Sequence, residues 1–361
     1  MTLHWKDYVL AYDEDVITHW HQACPDDRPA TFVLGAGFDP RALVGLTKFL
    51  NLPKPGRLTI VVLELPEGPH RGEAHELAKI NRGVLQNLER GSGATFRHVP
   101  FPDVADRLHA GLAISRQLHR ETLIPHDGLV VVDISALPSS IFFPIIGSVL
   151  AQADEGPFAG DLQVLVCENP EIDRLILDEG SADPGPIAGF NKGLTQEAST
   201  AAIKVWAPII GENQGPALDA LFGYLTPDEI CPVLPFPARN PRRADDLVME
   251  HRDLLLGRME VEPGNFIYAH ETNPFDVYRR LADLSDRYRT ALAPLGDAMV
   301  VVSVHASKLL SIGVLLAAWE CNLPVVSVSP SGYVIENAGA LLGESEHNRL
   351  ASAWLLGEPY R

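Results

Sequence analysis

Residues 32–43 read FVLGAGFDPRAL. An apolar run ends at Gly35 and Gly37, an Asp-Pro pair follows at Asp39 and Pro40, and apolar residues then recur with helical spacing to Leu50. This is a strand that stops and a helix that starts. Asp39 is a good N-cap, and Pro40 suits the first helical position because its missing N–H would have no partner there. Glycine at such a turn lets the backbone adopt a positive φ or approach a ligand closely. The helix that follows presents free N–H groups. Two readings stand: a turn that holds a phosphate or cofactor, and a strand-to-helix turn with sound capping and no ligand.

The same unit recurs along the chain. RLTIVVLEL leads into a helix from about Glu73 to Leu88. ATFRHVPF leads into DVADRLHAGLAISRQLHRETL, GLVVVDIS into SSIFFPIIGSVLAQA, and DLQVLVCE into NPEIDRLILDE. After a break come AAIKVWAPIIG with a helix near Ala217 to Tyr224, NFIYAHE with NPFDVYRRLADLSDRYRTALAPL, AMVVVSV with SKLLSIGVLLAAWECN, and LPVVSVS. Runs such as TIVVL are apolar throughout, as strands covered on both faces must be. Strands that alternate with helices imply crossovers and a parallel sheet. The expected fold class is α/β, with a mostly parallel, doubly wound sheet or sheets in two Rossmann-like halves. The expected divisions are an N-terminal extension at 1–28, a first half at 29–179, a Gly/Pro-rich linker at 180–200, a second half at 201–335 and a C-terminal tail at 336–361. Pro232, Pro235 and Pro237 break EICPVLPFPARNP, which reads as an edge strand or extended segment.

Composition narrows the function. The chain has 361 residues, 46% of them hydrophobic, and a formal net charge of -18. Such a charge opposes broad contact with a nucleic-acid backbone, which needs a basic footprint. Arg239, Arg242 and Arg243 form the one local basic cluster. They read as a solvated loop balanced by Asp245 and Asp246, with a small basic patch as the alternative. Cys24, Cys167, Cys231 and Cys321 show no metal or disulfide spacing, which fits a reducing cytoplasm. No signal peptide or membrane span is read, since FFPIIGSVLA is far short of the roughly 18 apolar residues a span needs. Glu73, His75 and Glu76, with His70, read as a solvent face of a helix rather than a metal set. No hydrolase elbow or zinc-protease motif is present in the sequence.

The opening turn is G-x-G without the third glycine of a dinucleotide fingerprint, since position 40 is proline. Asp39 would also repel a pyrophosphate. VLGAGFDPRA resembles the first motif of S-adenosylmethionine-dependent methyltransferases, closest to the carboxyl-methyltransferase type with its Gly-Ala-Gly-x-Asp-x-Arg turn. The resemblance covers about ten residues and one acid. It implies S-adenosylmethionine as cofactor, held over Gly35, Gly37 and Asp39, with Glu64 at the end of the second strand on the ribose. A carboxylate there can accept from two hydroxyls at once. Asp133 in VVVDISALPSS would then lie near the transferred group, as the catalytic residue. Its other reading is an acid that satisfies a backbone N–H and starts a turn.

A second turn, VVSVHASKLLSIG, gathers Ser303, His305, Ser307 and Lys308 at a helix start, an anion-binding candidate. It is similar to the Ser/Thr-Lys turns of ligand-sensing Rossmann-like domains that bind cyclic oligonucleotides. The plainer reading makes Ser307 an N-cap and leaves Lys308 solvated. The two halves also share a Glu-x0–1-Asn-Pro helix start, at Glu168-Asn169-Pro170 and at Glu271 with Asn273-Pro274. Both acids stand at strand ends, where open α/β sheets bind ligands. Two functions therefore stand: a methyltransferase that binds a small adenine-containing ligand, and a non-catalytic nucleotide-sensing or interaction subunit of a bacterial multi-protein system of the defence type. In the latter, CPVLPFPARNPRR would serve as a docking surface for a protein partner. A nucleotide-sugar or phosphate-handling enzyme would need more basic residues at the strand ends.

Overall fold

The computed structural model describes residues 3–23, 28–52, 57–66, 72–104, 107–179, 183–194, 203–294, 296, 298–330, 332–335, 338–341 and 347–361. In chain order the strands are β1 (Val9–Tyr12), β2 (Pro29–Ala36), β3 (Arg57–Glu64), β4 (Thr95–Val99), β5 (Leu129–Asp133), β6 (Asp161–Glu168) and β7 (Ile176–Glu179). Then follow β8 (Gly185–Pro186), β9 (Ile203–Ile209), β10 (Glu229–Ile230), β11 (Val233–Pro235), β12 (Ile267–Ala269), β13 (Ala298–Val304), β14 (Val325–Ser327), β15 (Gly332–Ile335) and β16 (Arg349–Leu356). The chain is α/β with mostly parallel sheets. It divides into two compact units, one of Asp7–Gly180 with Pro330–Arg361, the other of Met1–Lys6 with Ser181–Ser329.

The first unit holds a sheet in the order β1-β16-β6-β5-β2-β3-β4. Strands β2 to β6 run parallel, and in their own chain order they read 3-2-1-4-5 from β4 across to β6. Every residue of β5 is buried, as its unbroken apolar sequence requires of a central strand covered on both faces. One face is closed by Trp20, set edge-on to Phe49 with 5.0 Å between ring centroids, and by Phe32 at 5.2 Å from Phe49.

Three expectations are corrected here. Residues 336–361 are not simply a tail, because β16 lies antiparallel between β6 and β1, with Ala353 opposite Val164 and Leu10. Residues 1–28 are not an extension, because β1 and the helix Glu14–Ala23 complete this sheet and its core. The physical reason is burial. Trp354 and Val16 are 3% and 0% exposed, and neither could be left in water without loss. Residues 332–335, inside the expected second half, form β15, which instead pairs antiparallel with β7 in the first unit.

The second unit repeats the plan. Its sheet runs β12-β11-β9-β13-β14-β8, with β10 beside β9, and all pairs are parallel except β14 with β8. From β12 to β14 the chain order is again 3-2-1-4-5. Trp206 and Val301, in register on neighbouring strands, face the helices Gly215–Leu225 and Arg243–Glu250. Val205, Ala207, Val300 and Val302, all buried, therefore face the other way. The helices Pro274–Leu292 and Lys308–Cys321 touch closely, with Gly313 against the Pro274 backbone. The expected linker 180–200 is part of this unit where it is described. Gly185–Pro186 is an edge strand, and Ile187 and Phe190 are 1% and 4% exposed. Proline is admissible there because an edge strand need not donate on its outer side. Strand β11 is not an edge: it sits between β9 and β12. The Pro232 carbonyl, just before the strand, accepts from Ile267 N, and Val233 O accepts from Ile210 N, so Pro232 joins the pairing as an acceptor without needing a donor. Among the described residues no helix is long and apolar enough to cross a membrane.

Candidate functional site

An order of 3-2-1-4-5 means that the strands on either side of the first one are reached by crossovers in opposite directions. A crevice opens at that reversal, outside the strand C-termini. Each unit has one such point. In the first it lies between the ends of β2 and β5, and in the second between the ends of β9 and β13.

At the first point the expected cofactor turn is in place but covered. Asp39 caps the short helix Pro40–Leu43, with Oδ1 accepting from Arg41 N at 2.9 Å. The same carboxylate takes Arg41 Nε at 3.0 Å and Nη2 at 2.8 Å, while Arg41 Nη1 reaches Asp173 at 2.6 Å. Burial acts to pull the Arg41 proton off, but Asp39 and Asp173 outweigh it and hold the guanidinium charged. A methyl group added at Gly35 would lie 2.6 Å from Leu137 Cδ2 and 3.0 Å from Leu65 Cδ1. Asn81 Nδ2 donates to the carbonyls of Gly37 and Asp39, both at 2.9 Å. Phe38 lies 5.0 Å from Tyr333. Gly35 thus makes room for leucine, and the turn is roofed by the helix Glu73–Ser92.

Asp133 is 1% exposed. Its Oδ1 accepts from Ser135 N at 2.9 Å and from Ser135 Oγ, and Ser135 Oγ accepts from Cys167 N at 2.7 Å. Added bulk at Gly45 would meet Asp133 Oδ2 at 2.6 Å. Asp133 therefore organises the turn after β5, its second reading in the sequence. Glu64 stands in register beside Ala36, with a side chain 56% exposed and 3.5 Å from His98 Nδ1. Glu73, His75 and Glu76 lie exposed on their helix, and no group able to hold a metal ion is found among the described residues. His70 and Cys24 lie outside them.

At the second point the strand ends are pressed together and the rim is polar. His305 N donates to Ile209 O at 2.9 Å, and a methyl group at Gly211 would fall 1.8 Å from His305 O. The Gly211 carbonyl lies 2.8 Å from His251 Nε2. Trp206 Nε1 donates to Ser303 Oγ at 2.9 Å, and the same oxygen shares a hydrogen bond with His305 Nε2 at 2.9 Å. Ser303 and His305 are thus corrected from anion ligands to core members that fix the turn. Ser307 does cap the helix Lys308–Cys321, accepting from Leu310 N at 3.4 Å, and Lys308 is half-buried at its first position.

Around these ends stand acids that lie far apart in the sequence. Arg243 donates to Glu212 and lies 3.9 Å from Glu271, while Glu271 Oε2 accepts from Arg239 N at 2.8 Å. Asn213 N donates to Glu250 Oε1 at 2.6 Å. The turn Gly211–Gly215, GENQG, which the sequence reading passed over, leads into the helix Gly215–Leu225. It is a glycine-bearing turn after the first strand of a 3-2-1-4-5 half, and that placement is the signal that could have found it.

Burial, and after it the nearby His251, lowers the His305 pKa to about 3. The folded state keeps this imidazole neutral, whereas the unfolded chain takes up a proton near the ordinary value of 6.5. Stability from this group is thus present above pH 6.5 and drains away as the pH falls towards 3, at about 1.4 kcal/mol per pH unit. Urea midpoints between pH 7 and pH 4.5 are expected to fall, and to fall less steeply in His305→Asn. Parallel slopes for the two proteins would refute this assignment.

No protein-family model matches the chain, and no curated protein matches it. Among solved structures it is similar to a putative universal stress protein from Pseudomonas aeruginosa UCBPP-PA14. Identity is 10% over 84% of this chain and 94% of that one, with a TM-score of 0.24. A functionally unknown protein from Pseudomonas aeruginosa PAO1 is similar at 8% identity over 83% and 92%, with a TM-score of 0.23. Likeness at this level says nothing of activity.

Proposed function

We propose that this protein binds a small adenine-nucleotide ligand over the C-terminal ends of β9 and β13, and serves as a sensing or interaction subunit of a larger assembly. The observation that carries the reading is the contrast between the two strand reversals. At the first, apolar Leu65 and Leu137 lie against Gly35 and Asn81 holds the carbonyls of the turn, whereas the second is rimmed by the partly accessible charged side chains of Glu212, Arg243, Glu271 and Lys308. Two helices begin there, so their N-terminal N–H groups and Lys308 favour a phosphate. The carboxylates of Glu212 and Glu271 are acceptors suited to sugar hydroxyls or an exocyclic amine. Both nearby histidine rings are engaged in holding the strand ends, which favours binding over proton transfer.

Calorimetry with AMP, ADP and ATP tests this. Lys308→Ala is expected to weaken the best of them about tenfold, ~1.4 kcal/mol, while Gly37→Asp leaves it unchanged. Equal affinity in Lys308→Ala and the parent protein would sink the proposal.

A second reading keeps S-adenosylmethionine over Gly37, favoured by the exposed Glu64 carboxylate in register beside the turn. Methyl transfer needs chiefly a donor and acceptor held in line, so it asks for no nucleophile–base pair. On that reading S-adenosylmethionine binds the parent protein and is lost in Glu64→Gln and Gly37→Asp, with Lys308→Ala unaffected.

A further inference from the structure

A cavity of about 560 Å³ lies in the second unit, away from the strand reversal, between the edge strand β12 and one face of the helix Pro274–Leu292. Its volume falls within the usual range for a small-molecule site, roughly 300–1,000 Å³. The helix contributes Arg280, Leu284, Arg287 and Tyr288, spaced so that all fall on one face, and the two arginines stand two turns apart. The opposite wall is the segment from Gly264 to Tyr268.

We propose that this groove binds a planar aromatic anion, its ring against Tyr268, Phe266 and Leu284 and its carboxylate or phosphate on the Arg287 guanidinium, with Arg280 as a second contact. The argument begins with charge. In a chain of net charge -18, two guanidiniums line one concave surface. Of the two guanidiniums, Arg280 already has an acid of its own helix beside it, and Arg287 does not. Asp286 pairs with Arg289 at 2.6 Å, and Asp276 lies 3.6 Å from Arg280 and 4.0 Å from Arg279. Among the described residues no carboxylate comes within ion-pair distance of Arg287, and its Nε makes a long 3.4 Å bond to the Asp283 carbonyl. Most of the guanidinium fork is left to meet a carboxylate or phosphate with two parallel bonds.

Two polar groups on the remaining wall carry no charge of their own. Cys231 Sγ and Tyr288 Oη lie 3.4 Å apart, and burial first of all raises the pKa of both, so thiol and phenol stay neutral. The Glu229 charge acts on both groups, and its carboxylate accepts from the Asn265 amide, so the anion is placed at the Arg287 end of the groove. Tyr268 is 48% exposed and stands at 76° to the Phe236 ring with 6.1 Å between centroids, so part of its aromatic surface remains in solvent. Ring stacking and the guanidinium together select a ligand with both features over one with either alone.

The probes are 1-naphthyl phosphate, 1-naphthoate, 1-naphthol and inorganic phosphate, titrated into the full chain by calorimetry. At least one naphthyl anion is expected to bind about tenfold tighter than both naphthol and inorganic phosphate, and Arg287→Gln to remove about that factor. Phosphate or carboxylate preference follows from which anion binds more tightly. Lys308→Ala, at the strand reversal, is expected to stay within about twofold of the parent. Loss of nucleotide binding in Lys308→Ala with no change here would separate the two sites. The proposal is overturned if naphthol matches the anions, if Arg287→Gln binds them as the parent does, or if an acidic peptide such as acetyl-Glu-Val-Glu-Val-Glu-amide binds along β12 while the naphthyl anions do not.

Discussion

Gly211→Ala is expected to destabilise the second unit by about 3 kcal/mol or more, the upper end of what overpacking usually does. The added methyl would lie 1.8 Å from the His305 carbonyl oxygen, 2.8 Å from its carbon and 3.0 Å from Ala306 Cα. All three are backbone atoms, so no side chain can swing aside. The Gly211 carbonyl is held by His251 and the His305 N–H by Ile209, so relief by shifting either strand end breaks a hydrogen bond. Urea denaturation followed by tryptophan fluorescence reads the effect, because Trp206 reports on the Ser303–His305 chain. Gly223→Ala is the control: nothing lies within 4 Å of its added methyl, and within a helix alanine should be neutral or stabilising by up to about 1 kcal/mol. Equal midpoints for the two variants would mean that the strand ends are not pressed together as described.

Arg41→Met is expected to cost about 3–5 kcal/mol in the first unit, because it leaves the Asp39 carboxylate buried without its cation. Asp39 is 8% exposed and accepts from the Arg41 backbone N–H and from Nε and Nη2 along one edge of the Arg41 guanidinium. Asp173, with a side chain 51% exposed, adds little, since water screens it. Asp39→Asn keeps the N-cap oxygen and removes the charge. The double variant Asp39→Asn/Arg41→Met should therefore recover much of the loss, a non-additivity that denaturation of the three proteins measures directly. Additive losses would show that Asp39 and Arg41 act as separate groups.

The fold was readable where local sequence carries the whole signal. Phe32–Leu34, Ile60–Leu63 and Leu129–Val132 are apolar without interruption because both sheet faces are covered, and the caps at Asp39, Asn169, Asn273 and Ser307 all form. Strand β16 hides because RLASAWLL mixes small and polar residues. Ser352 is 1% exposed, with its hydroxyl near Gln163 Oε1 at 3.5 Å, and that partner lies far away in sequence. Arg243 hides for the same reason: Asp245 and Asp246 are its neighbours in sequence, but the fold gives it Glu212 and Glu271. Strand-end position, which marked Glu64, Asp133 and Glu271, cannot tell an exposed carboxylate from a buried one. Gly35 likewise signals close approach without saying whether the approaching atoms belong to a ligand or, as here, to Leu137.

The placement of β16 also sets an order of events during synthesis. Residues 181–329 form one uninterrupted stretch of the second unit, and its strands β8 to β14 can pair as soon as that stretch has left the ribosome. The first unit begins earlier yet finishes later. Its β6 edge and its β1 strand wait for residues 349–356, which must thread antiparallel between them. Until then β6 presents an open row of backbone donors and acceptors, the kind of edge that recruits other strands. The nascent first unit therefore carries its aggregation hazard through the entire translation of the second. A stalled or prematurely stopped chain that ends before Arg349 should be the form that chaperones and proteases meet.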